Sequence, residues 1–455
     1  MLASQALSTG FARRGKSTIA SSPERPAFIL RAAWVLPVVR PPIRDGAVWI
    51  QGDRIRAVGP ARDLRPDPSV PVRDLGDALI LPGWVNAHCH LDYTDMAGRI
   101  PPRRSFTDWI KLITLAKAGW SLEDFRRSWL NGAAMLLRTG TTTVADVEAV
   151  PELLPDCWNR TPLRVFSFLE MTGIRARRQP AQILAEALDR IEQWQHPRCR
   201  AGLSPHAPYS TRAELLRQSA EAARQRGLLL TTHVAESGEE FAMFVHASGP
   251  MFDWLRRNDR DMQDCGGVTP VQHLHRAGYL GPNLLAVHAN YLGRGDAALL
   301  ARHKVTVVHC PRSHRYFQHQ PFPWRRLIEA GVRICVGTDS LATVPTGRNP
   351  PELSLFDEIH ELRRTQPWLG PVRLLRMVTL HPAHALGLKG RIGELSPGAF
   401  ADLMVIRTEK LRSARAAYEA IISHRGPVEA VYIGGEPVWP PRSPAPFTPQ
   451  PGPHA

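Results

Sequence analysis

Eight short apolar runs recur through the middle of this chain, and a stretch of helical pattern separates each from the next. No other feature constrains the fold as strongly. The runs are Trp84–His88, Thr141–Val147, Arg164–Met171, Arg200–Pro205, Leu228–Ala235, Leu284–His288, Val305–Cys310 and Arg333–Thr338. Such runs, apolar on both faces, are how strands covered on both sides read. Between them, Ser121-Leu122-Glu123-Asp124 caps a segment whose face carries Phe125, Trp129, Ala133 and Leu136 and which stops at Gly140. Residues 211–226 and 322–330 stop in the same way at Gly227 and Gly331, each followed directly by a strand. Eight such units predict an α/β fold, a (β/α)8 TIM-type barrel over residues 80–395.

The flanks read differently. Residues 27–79 and 396–436 are short strands broken by turns, such as Asp45-Gly46, Gly52-Asp53 and Gly434-Gly435. Two all-β pieces around a different middle predict one small β-sandwich domain built from both chain ends. Residues 1–26 carry Ser and Arg, no acid before Glu24 and no apolar core of a secretory signal, and read as a disordered leader. Residues 437–455 read as a Pro-rich tail.

Composition removes several function classes. The formal charge is +15, but only six of the 57 basic residues are Lys, and the Arg are spread along the whole chain. With no basic tail, zinc-finger spacing or aromatic RNA-binding signature, nucleic acid is not the expected partner. No apolar run is long enough to span a membrane. The six Cys show no paired spacing, and Cys89, Cys310 and Cys335 sit inside apolar runs, so a reduced, cytoplasmic protein is expected.

In a barrel of this type chemistry sits at the C-terminal ends of the strands. There the sequence places His88 and His90 on strand one, His206 after strand four, and His233 with Glu236 on strand five. His288 ends strand six, His309 strand seven and Asp339 strand eight. A single buried His is usually a core residue, but this many at one end would each cost about 1–3 kcal/mol if left unpaired. A shared metal accounts for them together. His88 and His90, two apart on a strand, aim at one point while Cys89 faces away. Three His and an Asp suit Zn2+, or Fe2+ or Mn2+, with room for a water. None of the six Lys stands at a strand end to bridge two metals, so one ion is expected.

The ordered motifs "NAHCHLDYT", "SPHAPYS", "HVAES", "VHAN", "HCPRS" and "GTDS" resemble the amidohydrolase superfamily, over about residues 30–435. Within it the chain is similar to the deaminase and chlorohydrolase branch, with its S-adenosylhomocysteine, aminofutalosine and guanine deaminases and triazine hydrolases. The resemblance implies His88, His90, His233 and Asp339 as metal ligands. It implies Glu236 as the acid for a ring nitrogen, and His288 with Asp339 as the pair that handles the protons of the metal's water. His206 matches a substrate contact. Trp109, with Phe106 or Trp84, is a candidate for stacking on an aromatic substrate. His309 and His314 (Asn in many relatives) and Arg175, beside Arg177 and Arg178, are further candidate contacts. The expected activity is hydrolytic deamination of an amino-substituted heterocycle, a purine or adenine-nucleoside derivative, by hydroxide generated at the metal. Triazine dechlorination or cyclic-amide cleavage would use the same site, and a metal-free binding barrel would have shed ligands that this chain keeps. A homodimer is implied by the resemblance alone.

Overall fold

The computed structural model describes residues 27–101, 105–173, 178–345 and 350–441. Eight parallel strands form the central sheet: Trp84–Cys89, Thr141–Glu148, Arg164–Met171, Arg200–Pro205, Leu230–Val234, Leu284–His288, Thr306–His309 and Arg333–Val336. They pair strictly in chain order. All eight predicted runs became these strands, most with ends within one or two residues. The predicted helix starts hold as well. Ser121 makes a reciprocal capping box with Asp124 ahead of Leu122–Arg138, and Gly227 ends Ala213–Arg226 in the left-handed conformation.

The ends of this sheet meet between strands one and eight. Asp339 N–H donates to the His88 carbonyl (3.1 Å), and Cys89 bridges to Asp339. Asn86 fastens the seam with its side chain, donating to Thr338 Oγ1 (2.8 Å) and accepting from Thr338 N–H (3.1 Å). Gly337 permits the approach, since a Cβ there would lie 2.8 Å from both Cβ and O of His88. Inside the barrel, Val85, Ala87, Ala145, Val147, Phe168 and Val287 pack with Ala383 and Leu386 from the segment around the helix Leu380–Ala385.

The flanking pieces join as one sheet of eight strands, with the order Glu436–Trp439, Ala430–Ile433, Leu403–Arg407, Ala78–Pro82, Phe28–Val35, Ile43–Gln51 and Arg54–Pro60. Val72–Asp74 is added beside Phe28–Val35. Period-two alternation divides its central strands between two cores. Leu79, Leu81, Met404 and Ile406 face the barrel's outer core, whereas Ala78, Ile80, Leu403 and Val405 enter the sheet's own core. A buried Arg164–Asp402 pair (2.6 Å and 3.1 Å) ties barrel strand three to this sheet, and Asp402 also accepts from Gly434 N–H. Residues 1–26 and 442–455, where the leader and most of the tail were expected, lie outside the described residues. Among the described residues no helix is long and apolar enough to cross a membrane.

Replacing Asn86 with Ala leaves the Thr338 N–H buried without its acceptor. The expected loss is about 1–3 kcal/mol of stability, read as a lower urea midpoint with an unchanged slope.

Candidate active site

Every candidate ligand converges at the C-terminal mouth of the barrel. His88, His90 and His233 present ring nitrogens within 4.8 Å of one another, and Glu236, His288 and Asp339 form a second such group. Asp339 Oδ1 lies 3.5 Å from His88 Nε2 and 3.8 Å from His90 Nε2. His90 Nε2 faces His233 Nε2 at 3.2 Å, and His288 Nε2 stands 3.3 Å from Glu236 Oε1. All six side chains are buried.

Local backbone geometry explains the convergence. Val308 points into the barrel core, so alternation turns His309 outward. His288 occupies the corresponding place after inward Val287, yet its φ of 74° swings the side chain back over the mouth. Ala235 (51°), Ala289 (50°) and Asp339 (56°) share this left-handed conformation at the ends of strands five, six and eight. Such residues cost about 1–3 kcal/mol each and cluster where function demands them. On strand one a register shift between Asn86 and Cys89 does the equivalent work, and Cys89 packs outward, as expected.

The donor set fits a divalent cation. His233 Nδ1 donates to the His206 carbonyl (2.9 Å), which places a lone pair on Nε2, the atom facing His90. Among the described residues, His88 Nε2 and His288 Nε2 are buried without a hydrogen-bond partner. Burial acts to raise the Asp339 carboxyl, but His88, His288 and His90 together hold it well below its ordinary value. Thr343 Oγ1 donates to its other oxygen (3.3 Å). Imidazole nitrogens converging with one carboxylate are the donor set that an ion of the zinc type requires.

Glu236 is in the opposite state. Burial, reinforced by the charges of Asp339 and Glu240, pushes its carboxyl well above the ordinary range, which favours the protonated form. Glu240, absent from the sequence reading, fixes it: its carboxylate accepts from the N–H groups of Ala235 (3.0 Å) and Glu236 (2.8 Å). Asn290 Nδ2 holds the Glu236 carbonyl (2.9 Å).

A cavity of about 300 Å³ opens onto this cluster. His206 and Trp109 line it, as does Phe106. His206 Nδ1 bonds Ser210 Oγ (2.6 Å), and burial pushes this imidazole down to about 3, so it is neutral. Three expected contacts are not brought there. His309 packs against Phe322 (4.0 Å between ring centres, tilted by 33°) and does not line the cavity. His314 Nε2 bonds the Gln320 carbonyl (2.9 Å) and braces its own loop. Trp84 is fully buried against Phe356. Arg175 and Arg177 lie outside the described residues, and Arg178 pairs with Glu186 on the surface.

The model of the amidohydrolase family matches residues 79–438. The chain is 31% identical over 395 residues to a 5-methylthioadenosine/S-adenosylhomocysteine deaminase of Nitratidesulfovibrio vulgaris, covering 84% of each. It is 29% identical over 342 residues to an aminodeoxyfutalosine deaminase of Deinococcus radiodurans, covering 73% of this chain and 79% of that one. The crystal structure of a Xanthomonas campestris adenosine deaminase with bound zinc superposes with a TM-score of 0.77 at 25% identity, over 91% and 93% of the two chains.

One divalent ion per chain is expected by elemental analysis of the purified protein, falling below one-tenth in His90→Ala/His233→Ala. Thr343→Val, which removes the partner of Asp339 Oδ2, is expected to weaken metal binding about 10- to 100-fold in competition with a chelating dye.

Proposed function

The chain belongs to the amidohydrolase family, and from that membership and the geometry of the mouth we propose that it deaminates an adenine-nucleoside derivative. Glu236 carries this reading. It is a buried carboxyl 3.3 Å from His288 whose surroundings favour its protonated form, and it stands in the same cavity as a complete His–Asp donor set. Hydrolytic displacement of ammonia needs a nucleophilic oxygen at neutral pH and a proton for the ring.

The residues divide that work. His88, His90, His233 and Asp339 would hold a divalent ion. Bound there, the ion acts as a Lewis acid that lowers the pKa of a coordinated water to about 7. Glu236 donates its proton to the ring nitrogen beside the amino-bearing carbon, as a non-ligand Glu does in the zinc nucleobase deaminases. His288 Nε2 and the Asp339 carboxylate accept the proton that the attacking water loses and return it to the departing amine as ammonia leaves. The proton remaining on the new oxygen passes to the Glu236 carboxylate as the carbonyl forms and restores the acid. His206, neutral and lining the cavity, orients the base, and Phe106 and Trp109 offer ring faces to it.

Zinc is the ion we assign, on the nitrogen-rich donor set and on the zinc in the Xanthomonas structure. Six free cysteines, five of them buried, support a cytoplasmic, reducing setting. The homodimer in this reading rests on the family resemblance.

Glu236→Gln keeps the size and loses the proton. Ammonia release from adenosine, 5-methylthioadenosine or S-adenosylhomocysteine is expected to fall at least a thousandfold, with bound metal unchanged. Retained turnover, or lost metal, would remove Glu236 from the role. Chloride release from a chlorotriazine without ammonia release from any nucleoside would move the activity to dehalogenation. Dialysis against a chelator is expected to abolish activity and Zn2+ to restore it.

A further inference from the structure

One wall of the cavity is a single helix, Phe106–Ala118. The side chains it contributes are Phe106, Trp109, Ile110, Ile113, Thr114 and Lys117, the spacing of one face of an α-helix. Apart from Thr114 that face is aromatic and aliphatic until its last turn, where it ends in an ammonium. Among the described residues Lys117 is the one Lys or Arg that lines the cavity.

Both ends of this helix are tied to the chemistry. At its start the Glu239 carboxylate accepts from the N–H groups of Phe106 (3.1 Å) and Thr107 (2.8 Å) and from the Thr107 hydroxyl. Glu239 stands three residues beyond Glu236. At its finish Lys117 Nζ donates to Tyr93 Oη (2.6 Å), and the Tyr93 ring stacks on His90 (5.4 Å, 8° between planes). The wall is therefore held in register with the reacting centre.

Lys117 spends one N–H on Tyr93, and no carboxylate of a described residue lies within ion-pair distance of it. Glu170 also lines the cavity, but its carboxylate is 4.0 Å from His206 Nε2 and forms no ion pair with Lys117. The cation keeps donors for an anion that arrives with the substrate. An ammonium lining a mostly apolar pocket, anchored by a phenol, recognises a carboxylate more strongly than an uncharged group of the same shape.

We propose that Lys117 selects the substrate by binding a carboxylate on the substituent remote from the reacting base. This rests on the deaminase reading, and it names a specificity-determining residue for it. Charge on Lys117 also reaches inward, toward Asp92 and His206. A purely structural Lys117 that balances Asp92 is the competing account, and it predicts equal damage to every substrate.

The test uses the metal-loaded full chain and two 5′-thio-substituted adenosines, one ending in a carboxylate and the other in the corresponding primary amide. Ammonia release from the amide tests the deaminase reading alone. The wild type is expected to favour the carboxylate at least tenfold in kcat/KM. Lys117→Met is expected to lose about 10- to 100-fold on the carboxylate, mostly in KM, and less than threefold on the amide. Lys117→Arg should restore most of the loss. If Lys117→Met does not fold, Lys117→Gln carries the same comparison. Equal losses on both compounds, or a wild type indifferent to the carboxylate, would overturn the inference and leave the deaminase reading standing. A wild type that releases ammonia from neither compound would overturn both.

Discussion

The site exists because strand one meets strand eight. Three of the four candidate ligands come from those two strands, and His88 touches the seam through its own carbonyl, which accepts from Asp339 N–H. The Asn86–Thr338 bonds and the missing Cβ at Gly337 are what let the two backbones approach. Looser closure would separate Asp339 from His88 and His90 before it disturbed any helix. Fold and donor set thus share one contact, and a cation bridging His88, His90 and Asp339 would in turn reinforce the seam.

Much of this was legible in the sequence because it depends on local rules. The barrel strands follow from apolar runs, the helix starts from capping residues such as Ser121, and the donor set from the strand-end histidines. Less legible was the direction in which a strand-end side chain points. His288 and His309 end neighbouring strands and look equivalent in the sequence. One lines the cavity and the other packs on Phe322, and the difference is a left-handed backbone at His288. Alternation alone, read from Val308, would have turned His309 outward. Nothing local announces that His288 and Ala289 adopt φ values that β-carbons resist.

A second blind spot concerns residues that act through others. Glu239 and Glu240 follow Glu236 in a stretch that reads as an acidic helix start. Each carboxylate accepts from two backbone N–H groups, but of different segments: Glu239 from the cavity-lining helix, Glu240 from the loop that carries Glu236 itself. The Glu239 bonds span more than 130 residues, so no sequence window contains them. The Glu240 bonds are local, but they depend on the left-handed turn at Ala235, which the sequence does not announce. Lys117 is intermediate. Its place on the face of Phe106 and Ile113 was readable from helical spacing, but the identity of that face as the cavity wall was not.

Glu236 and Asp339 are carboxyls of similar intrinsic acidity, buried to a similar extent and held in one cluster, yet their acidities are shifted in opposite directions. Their partners make the difference. Asp339 is surrounded by imidazoles and a hydroxyl that favour its anion. Glu236 faces one imidazole and two other carboxyls, so its desolvation goes uncompensated. The Asp339 anion is itself one of the charges that raise the Glu236 carboxyl. The proposed chemistry, a cation bound and a proton delivered within a few ångströms, would need this division, and here it follows from which strand end each carboxyl occupies.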